Sequence, residues 1–358
     1  MHTIRKILKA AIILIIILWA TFFGIILYAI ISDYRPEPEI NLIKSETPGK
    51  IDEGNPITIM SWNIGYAGLD DEMDFFYDGG TKVRPSQEQY NENIGSIAGF
   101  LRDNDSLDFI FLQEVDRKSR RSYKNDQYEK FQTSLKGKSS QFAVNYDVFF
   151  VPVPPSNPMG KVLSGISVFG DVEPESSTRY SFPGKYSFPK QLFMLDRCFI
   201  ANRYPLENGK ELVLINTHNE AFDTGDIRKA QMDFLRDFLI TEYNKGNYII
   251  AGGDWNQSPA GFIPQFNGNV VNTNQMMLEK GFLPEDWTWA YDNKKPSNRT
   301  VTGPYRPKVT ATTVIDFFLL SPNVETVSVK CKNLEFENSD HNPVFLVARL
   351  RRDGRTED

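Results

Sequence analysis

Histidine is nearly missing from this chain, with 3 in 358 residues, and cysteine is rarer still, with 2. So few cysteines exclude a disulfide-built scaffold. Cys198 and Cys331 lie in strand-like runs. Buried free thiols are the favoured reading, with a disulfide as the alternative if the body lies outside the cytosol. Basic charge is also short: 40 Lys and Arg stand against 46 Asp and Glu, a net charge of −6. That balance argues against a sequence-independent nucleic-acid binder, which needs a basic face. It does not exclude a nuclease, because a divalent cation offsets local negative charge. Internal repeats, low-complexity stretches and a second linker beyond residue 56 are absent as well. The chain past that point therefore reads as one large domain.

One long hydrophobic run is present. Residues 10–31 carry no charge, a length that spans a bilayer as a helix. The run exceeds a signal-peptide core and no Ala-x-Ala site follows, which leaves a cleaved signal as the weaker alternative. Arg5, Lys6 and Lys9 precede it, while Asp33, Glu37 and Glu39 follow. The positive-inside rule then makes 1–9 a cytoplasmic N-terminus, 10–31 a single-pass anchor in the cell membrane, and the body extracytoplasmic. Residues 32–55, rich in Pro, Glu, Lys and Gly, read as a solvated linker, 56–350 as the domain and 351–358 as a polar tail.

Ten runs rich in Ile, Val, Phe and Tyr predict strands: 57–62, 108–112, 142–150, 165–169, 198–202, 212–216, 248–251, 314–320, 324–329 and 344–350. Ser86 with Gln89 forms a capping-box pattern ahead of Tyr90, Ile94, Ile97 and Leu101 at helical spacing. A second helix is expected from Asp226 as cap, burying Ile227, Gln231, Phe234, Leu235, Phe238 and Leu239. Many strands and few helices imply an α/β fold of two packed sheets with helices outside.

Several strands run into polar residues suited to chemistry: Asn63, Gln113-Glu114, Thr217-His218 and Gly253-Asp254. Ligands gather at strand ends in layered α/β folds, where side chains leave the core yet stay rigidly held. Asp254 and Asn256 alternate, so on an extended chain both point one way. Glu114 is a hard oxygen donor suited to Mg²⁺, with Mn²⁺ as the alternative. Zinc is the weaker reading, since no H-x-x-x-H or C-x-x-C spacing occurs. Asp316, within an apolar strand, is either a satisfied buried acid or the group that orients His341.

Together Trp62-Asn63-Ile64, Leu112-Gln113-Glu114-Val115, Asn216-Thr217-His218, Gly253-Asp254-Trp255-Asn256, Ile315-Asp316-Phe317 and Ser339-Asp340-His341-Asn342-Pro343 resemble the endonuclease/exonuclease/phosphatase superfamily over residues 56–350. The resemblance implies a four-layered α/β sandwich that hydrolyses a phosphoester with a divalent cation. It implies metal ligation by Asn63, Glu114 and Asp340, phosphate contacts from His218 and Asn256, and water activation by Asp254. His341, steadied by Asp316, would stabilise the pentacovalent state. Arg197 matches a basic residue that many members place near the phosphate, with a surface pair to Asp196 as the alternative. The Arg228 to Gln231 pattern reads as structural. Asn256 and Asn298 each open a glycosylation tripeptide, which is taken as coincidence.

Loops 68–84, 151–161 and 180–193 are expected to frame a cleft, with Trp287, Trp289 and Tyr291 beyond. The first is acidic and aromatic, which disfavours a polyanionic partner. With the membrane anchor, this favours a small or lipid-linked phosphoester, sphingomyelinase-like, acted on outside the membrane. A tethered nuclease is the alternative, and a silent binding module on the same scaffold is the third reading. Oligomeric state is not legible.

Overall fold

The pattern of alternating apolar residues decides which side of each strand faces which layer. Phe109 and Phe111 join one buried cluster, while Ile110 and Leu112 on the same strand join another. Leu212 and Leu214 divide from Val213 and Ile215 in the same way. This period of two is the signature of a sheet buried on both faces. The computed structural model describes residues 2–351 except 224, 267 and 269. The expected polar tail beyond residue 351 lies outside the described residues.

The strands are β1 (Glu39–Lys44), β2 (Ile57–Asn63), β3 (Phe109–Asp116), β4 (Ser139–Val151), β5 (Gly160–Gly170), β6 (Ser176–Ser181), β7 (Cys198–Pro205), β8 (Glu211–His218), β9 (Tyr248–Asp254), β10 (Val270–Val271), β11 (Thr288–Ala290), β12 (Asn298–Arg299), β13 (Ala311–Thr313), β14 (Asp316–Leu320), β15 (Val324–Cys331) and β16 (Val344–Leu350). The helices are α1 (His2–Ile31), α2 (Gln87–Asp103), α3 (Gln127–Ser134) and α4 (Asp226–Asn244). One sheet runs β1-β6-β7-β8-β9-β14-β11 and the other β15-β16-β2-β3-β5-β4. A small third sheet, β10-β13-β12, lies beside them.

The two large sheets pack face to face through Ile59, Phe111, Ile200, Leu214, Ile250, Phe318 and Leu346. Helices α2 and α3 cover the outer face of the six-stranded sheet, and α4 covers that of the seven-stranded one. Four layers result, as expected. Each fully buried phenylalanine in these layers contributes roughly 1.5–3 kcal/mol through surface withdrawn from water. Polar ties also cross between the sheets: Gln113 Nε2 donates to Asn216 Oδ1 at 2.7 Å, and Asn216 Nδ2 donates to the carbonyl of Ser167 at 2.8 Å.

All ten expected strands form. The structure adds β1 within the stretch read as a solvated linker. It pairs antiparallel with β6 as the sheet's edge strand. Helix α4 is capped differently than expected: Asp223 Oδ2, not Asp226, accepts from the amides of Gly225, Ile227 and Arg228. Its buried face is turned accordingly to Arg228, Gln231, Met232, Leu235 and Leu239, leaving Phe234 37% exposed. Ser86 Oγ caps α2 by accepting from the Gln89 amide, but the Gln89 side chain bonds Asn93 instead of closing the box. Trp287 and Trp289 pack into the core beneath α4, not around a cleft. Cys198 and Cys331 are buried free thiols.

Helix α1 is long and apolar enough to cross a membrane over Thr3–Ile31, with mean hydropathy 2.9. It is the one such helix among the described residues.

Candidate active site

Strand register assembles the site. β7, β8, β9 and β14 lie side by side, and pairing sets Cys198 against His218, His218 against Asp254, and Asp254 against Asp316. Three functional side chains thus stand in one row across three strand ends. From the facing sheet come Asn63, paired with Gln113, and Glu114 just beyond it. Glu114 sits in a bulge of β3 and takes a left-handed φ of 55°. Such bulges re-aim side chains at functional sites. Asp340 and His341 arrive on the loop before β16. The indole of Trp62 fixes that loop by donating to the carbonyl of His341 at 2.9 Å.

His341 is held from both sides. Its Nδ1 lies 2.8 Å from Asp316 Oδ2, and since a carboxylate only accepts, Nδ1 carries the proton. Asp316 thus accepts from His341, and its backbone amide donates to Ser297 Oγ at 3.0 Å. Asn298 Nδ2 lies 3.0 Å from His341 Nε2. With that nitrogen facing it, the ring is neutral. Turning the amide over would let its oxygen accept from a charged ring. The charged form is electrostatically preferred: burial opposes it, but Asp316, Asp340 and Asp254 outweigh burial and hold the pKa well above the ordinary value.

Asp254 is the meeting point. Its Oδ2 accepts from Asn63 Nδ2 at 2.9 Å and lies 3.6 Å from His218 Nε2 and 3.8 Å from His341 Nε2. Its Oδ1 accepts from the Asn256 amide at 2.9 Å. Burial, reinforced by Asp316 and opposed by His341, pushes its carboxyl to about 6. His218 lies on the opposite electrostatic side. Burial, then Arg197, His341 and Arg121, hold it well below its ordinary value, so it is a neutral ring at pH 7. Burial pushes Asp340 up to about 7, with Glu114 adding to the effect and His341 opposing it.

These groups face a cavity of about 360 Å³. Arg197 lines it and is only 5% exposed, so it is not the surface partner of Asp196. Its Nε and Nη1 are buried without a hydrogen-bond partner, and its nearest carboxylate oxygen, Glu220 Oε2, is 3.9 Å away. Unsatisfied buried guanidinium nitrogens facing a cavity are what an anion would complete. Asn256 lines the same cavity, although at φ 52° it is left-handed, not extended as expected. Its Nδ2 donates to the carbonyl of Asn219. Arg228 also donates to backbone there, to the carbonyl of Ala221 at 2.7 Å, consistent with its structural reading.

One expected strand-end residue, Gln113, and one motif residue, Asn216, stand elsewhere. Gln113 and Asn216 are the ties between the sheets described above. Asn63 does reach the site, but its Oδ1 accepts from the Gly65 amide at 2.9 Å, so the group it presents to Asp254 and Glu114 is its NH₂. Loops 68–84 and 151–161 border the cavity through Phe75, Tyr77 and Met159, and Met194 and Leu195 follow the third.

Sequence reasoning missed Arg121, Asn145, Tyr146 and Asn298. Arg121 is buried, paired with Asp116 at 2.9 Å, 4.0 Å from Glu114, and stacked 3.9 Å over Tyr66. Asn145 lines the cavity with a buried, unpartnered Nδ2. None sits in a strand-end motif. Asn298 carried one signal, the tripeptide set aside as coincidence, and its real task is His341.

Asp254, Asp316 and His341 offer ligand atoms within 4.8 Å of one another. The Asp316 to His341 hydrogen bond, however, already joins two of the three. A hard cation suits better the edge where the Glu114 carboxylate adds to the cost of ionising buried Asp340.

Residues 60–341 match the model of the Endonuclease/Exonuclease/phosphatase family. No curated protein matches the chain. Solved structures share its fold. The endonuclease/exonuclease/phosphatase from Beutenbergia cavernae is 16% identical, covers 83% of this chain and 72% of its own, and has a TM-score of 0.55. The human Nocturnin catalytic domain with bound sulfate anion is 16% identical, covering 86% and 100%, at 0.52. ANGEL2, a 2',3'-cyclic phosphatase, in complex with adenosine-2',3'-vanadate, is 14% identical, covering 87% and 100%, at 0.55. At such identities the likeness is one of fold.

Proposed function

The chain belongs to the endonuclease/exonuclease/phosphatase family of phosphoester hydrolases, and from this premise we propose a divalent-metal-dependent phosphodiesterase or phosphatase acting outside the membrane on a small or lipid-linked phosphoester. The observation that carries the reading is the convergence of Glu114, His218, Asp254, Asp340 and His341 on one cavity walled by Arg197. Glu114 and Asp340 would hold Mg²⁺ or Mn²⁺, with Asn63 beside them. The ion supplies Lewis acidity and charge neutralisation when bound. Asp254 orients or deprotonates the attacking water. His218, neutral at its lowered pKa, and Asn256 and Arg197 contact the phosphate. His341, steadied by Asp316, stabilises charge developing on phosphorus. Positioning and charge compensation of this kind dominate phosphoryl transfer.

The cavity mouth favours a substrate with an apolar part. Phe75, Tyr77, Met159, Leu195 and Phe222 border it. Helix α1 serves as single-pass anchor, N-terminus in the cytoplasm, with 56–350 as the catalytic domain. The test offers the purified full chain plasmid DNA, phosphatidyl lipid and sphingomyelin vesicles, and soluble phosphate esters, with Mg²⁺, Mn²⁺ or EDTA. Turnover of lipid or small esters, lost with EDTA and with Asp254→Ala, is expected. DNA cleavage alone, lost in the same variant, would replace this reading with a tethered nuclease. No turnover and no metal uptake would leave a binding module.

A further inference from the structure

The apolar helix does not end in a free tether. Tyr28, within the last turn of α1, packs its ring on Phe149 of β4 with centroids 4.4 Å apart, and Ala29 beside it is buried. Arg35 bonds Asp33 at 2.9 Å and the carbonyl of Ile30 at 3.4 Å, drawing the exit segment back toward the helix. Ser181 then takes the carbonyls of Glu37 and Pro38, and β1 begins at Glu39. Residues 32–38 are therefore fastened to the helix end and to the body in turn. If α1 spans a bilayer, as proposed above, the body's orientation on that bilayer is set by these contacts. At a rise of about 1.5 Å per residue, Tyr28 lies only ~5 Å below the helix end. Phe149 and the adjoining Phe150 thus lie at headgroup level.

The same edge carries a loop of distinctive composition. Asp33, two residues past the helix, shares a small cavity with Lys185 and Tyr186. Phe188 follows, 59% exposed, between the exposed Lys185 and Lys190. Lys190 Nζ stands 3.8 Å over the Tyr186 ring. An exposed ring flanked by ammonium groups suits the boundary of an anionic membrane, where the ring leaves water and the charges meet lipid phosphates. Met194, Leu195 and Arg197 line both that small cavity and the active-site cavity.

We propose that loop 182–190, with Phe149 and Phe150, is a second membrane contact: Phe188 inserts at the interface, Lys185 and Lys190 bind anionic headgroups, and the wall shared with the active site is brought to the lipid surface. The inference rests on α1 being a membrane anchor, and its test separates the two. The full chain is reconstituted into vesicles of phosphatidylcholine and phosphatidylglycerol, and flotation reports insertion. Phe188→Cys, and separately Ser187→Cys, carries an environment-sensitive fluorophore. Cys198 and Cys331 are buried and stay unlabelled. Val309→Cys, at a position 66% exposed outside the loop, is the control.

Contact predicts blue-shifted emission at 187 and 188, quenched by shallow spin-labelled lipid, with no quenching at 309. Lys185→Glu with Lys190→Glu should reduce the quenching. A chain that floats while 187 and 188 behave like 309 overturns the second contact and leaves the anchor. A chain that does not float overturns both.

Discussion

Asp316→Asn is the sharpest test of the site, because it removes a charge while keeping the size of the side chain. Asp316 is buried, one oxygen holds His341 Nδ1 at 2.8 Å, and the other, Oδ1, has no partner. The replacement amide has two orientations. With its oxygen toward Nδ1, its NH₂ replaces an atom with no partner, leaving a buried donor unsatisfied at a cost of ~1–3 kcal/mol. With its nitrogen toward Nδ1, the ring nitrogen must accept, so the imidazole is held neutral and loses the charged form that Asp316, Asp340 and Asp254 favour. Either way the charge-assisted bond is lost, a term of ~1.5–3 kcal/mol. Expressed in the transition state, that is about one to two orders of magnitude in rate.

Initial rates on a chromogenic phosphodiester with Mg²⁺ would be measured for both proteins, with urea unfolding alongside. The expected outcome is a fall in kcat with KM held within roughly threefold, the pattern of an interaction made in the transition state. A folded variant whose kcat/KM stays within roughly threefold of the parent would refute the reasoning and return Asp316 to the status of a satisfied buried acid.

Three other perturbations follow from the same coordinates. Arg197→Met should lower kcat/KM by ~10- to 100-fold, and Arg197→Lys should recover part, since the guanidinium has buried donors with no protein partner; unchanged steady-state constants would remove it from the substrate. Glu242→Gln tests stability. Burial raises its carboxyl, but hydrogen bonds from Arg203, Lys245 and Asn247 outweigh it and hold the group at about 2 instead of 4.5. A depressed folded pKa contributes above the unfolded value and is lost as pH falls through the folded one. The variant should therefore be less stable by up to ~3 kcal/mol at pH 7, the gap closing between about 4.5 and 2, as read by urea midpoints. Gly253→Ala should cost ~3 kcal/mol or more in the same assay, because φ is 142° and the added Cβ would collide with the carbonyl oxygen of Thr217.

The sheet interiors were legible because both faces are buried, so the strands read as continuous apolar runs. β1 escaped because it is the edge strand, and β6, paired between β1 and β7, escaped because its own residues are polar. Glu39–Lys44 alternates exposed and half-buried residues, and Ser176–Ser181 carries almost no aliphatic side chain. At the site, motif residues were legible where a strand delivers them, as with His218, Asp254 and Asp316. Arg121 and Asn145 were not, since they come from a turn after β3 and the middle of β4, and only the packing of the two sheets brings them to the cavity. The left-handed bulge at Glu114 has no sequence signal either, being a non-glycine in a conformation that local propensity disfavours.

The charge balance of the cavity argues for the cation more firmly than any single ligand does. Asp254, Asp316 and Asp340 surround His341, Glu114 stands 4.0 Å from His218, and the guanidinium of Arg121 is taken up by Asp116. A phosphoester entering this space brings further negative charge. Burial, with carboxylate neighbours, holds Asp340 near 7 and Asp254 near 6 even against the opposing pull of His341. A divalent ion beside Glu114 and Asp340 favours the ionised form of Asp340, so its uptake must expel a proton wherever that acid is still protonated. Titrating Mg²⁺ or Mn²⁺ calorimetrically at pH 6 in buffers of different ionisation enthalpy should show proton release that fades toward pH 8. Asp340→Asn should abolish most of it. Binding without proton release at pH 6 would mean the ion sits elsewhere and that these raised carboxyls serve the chemistry directly.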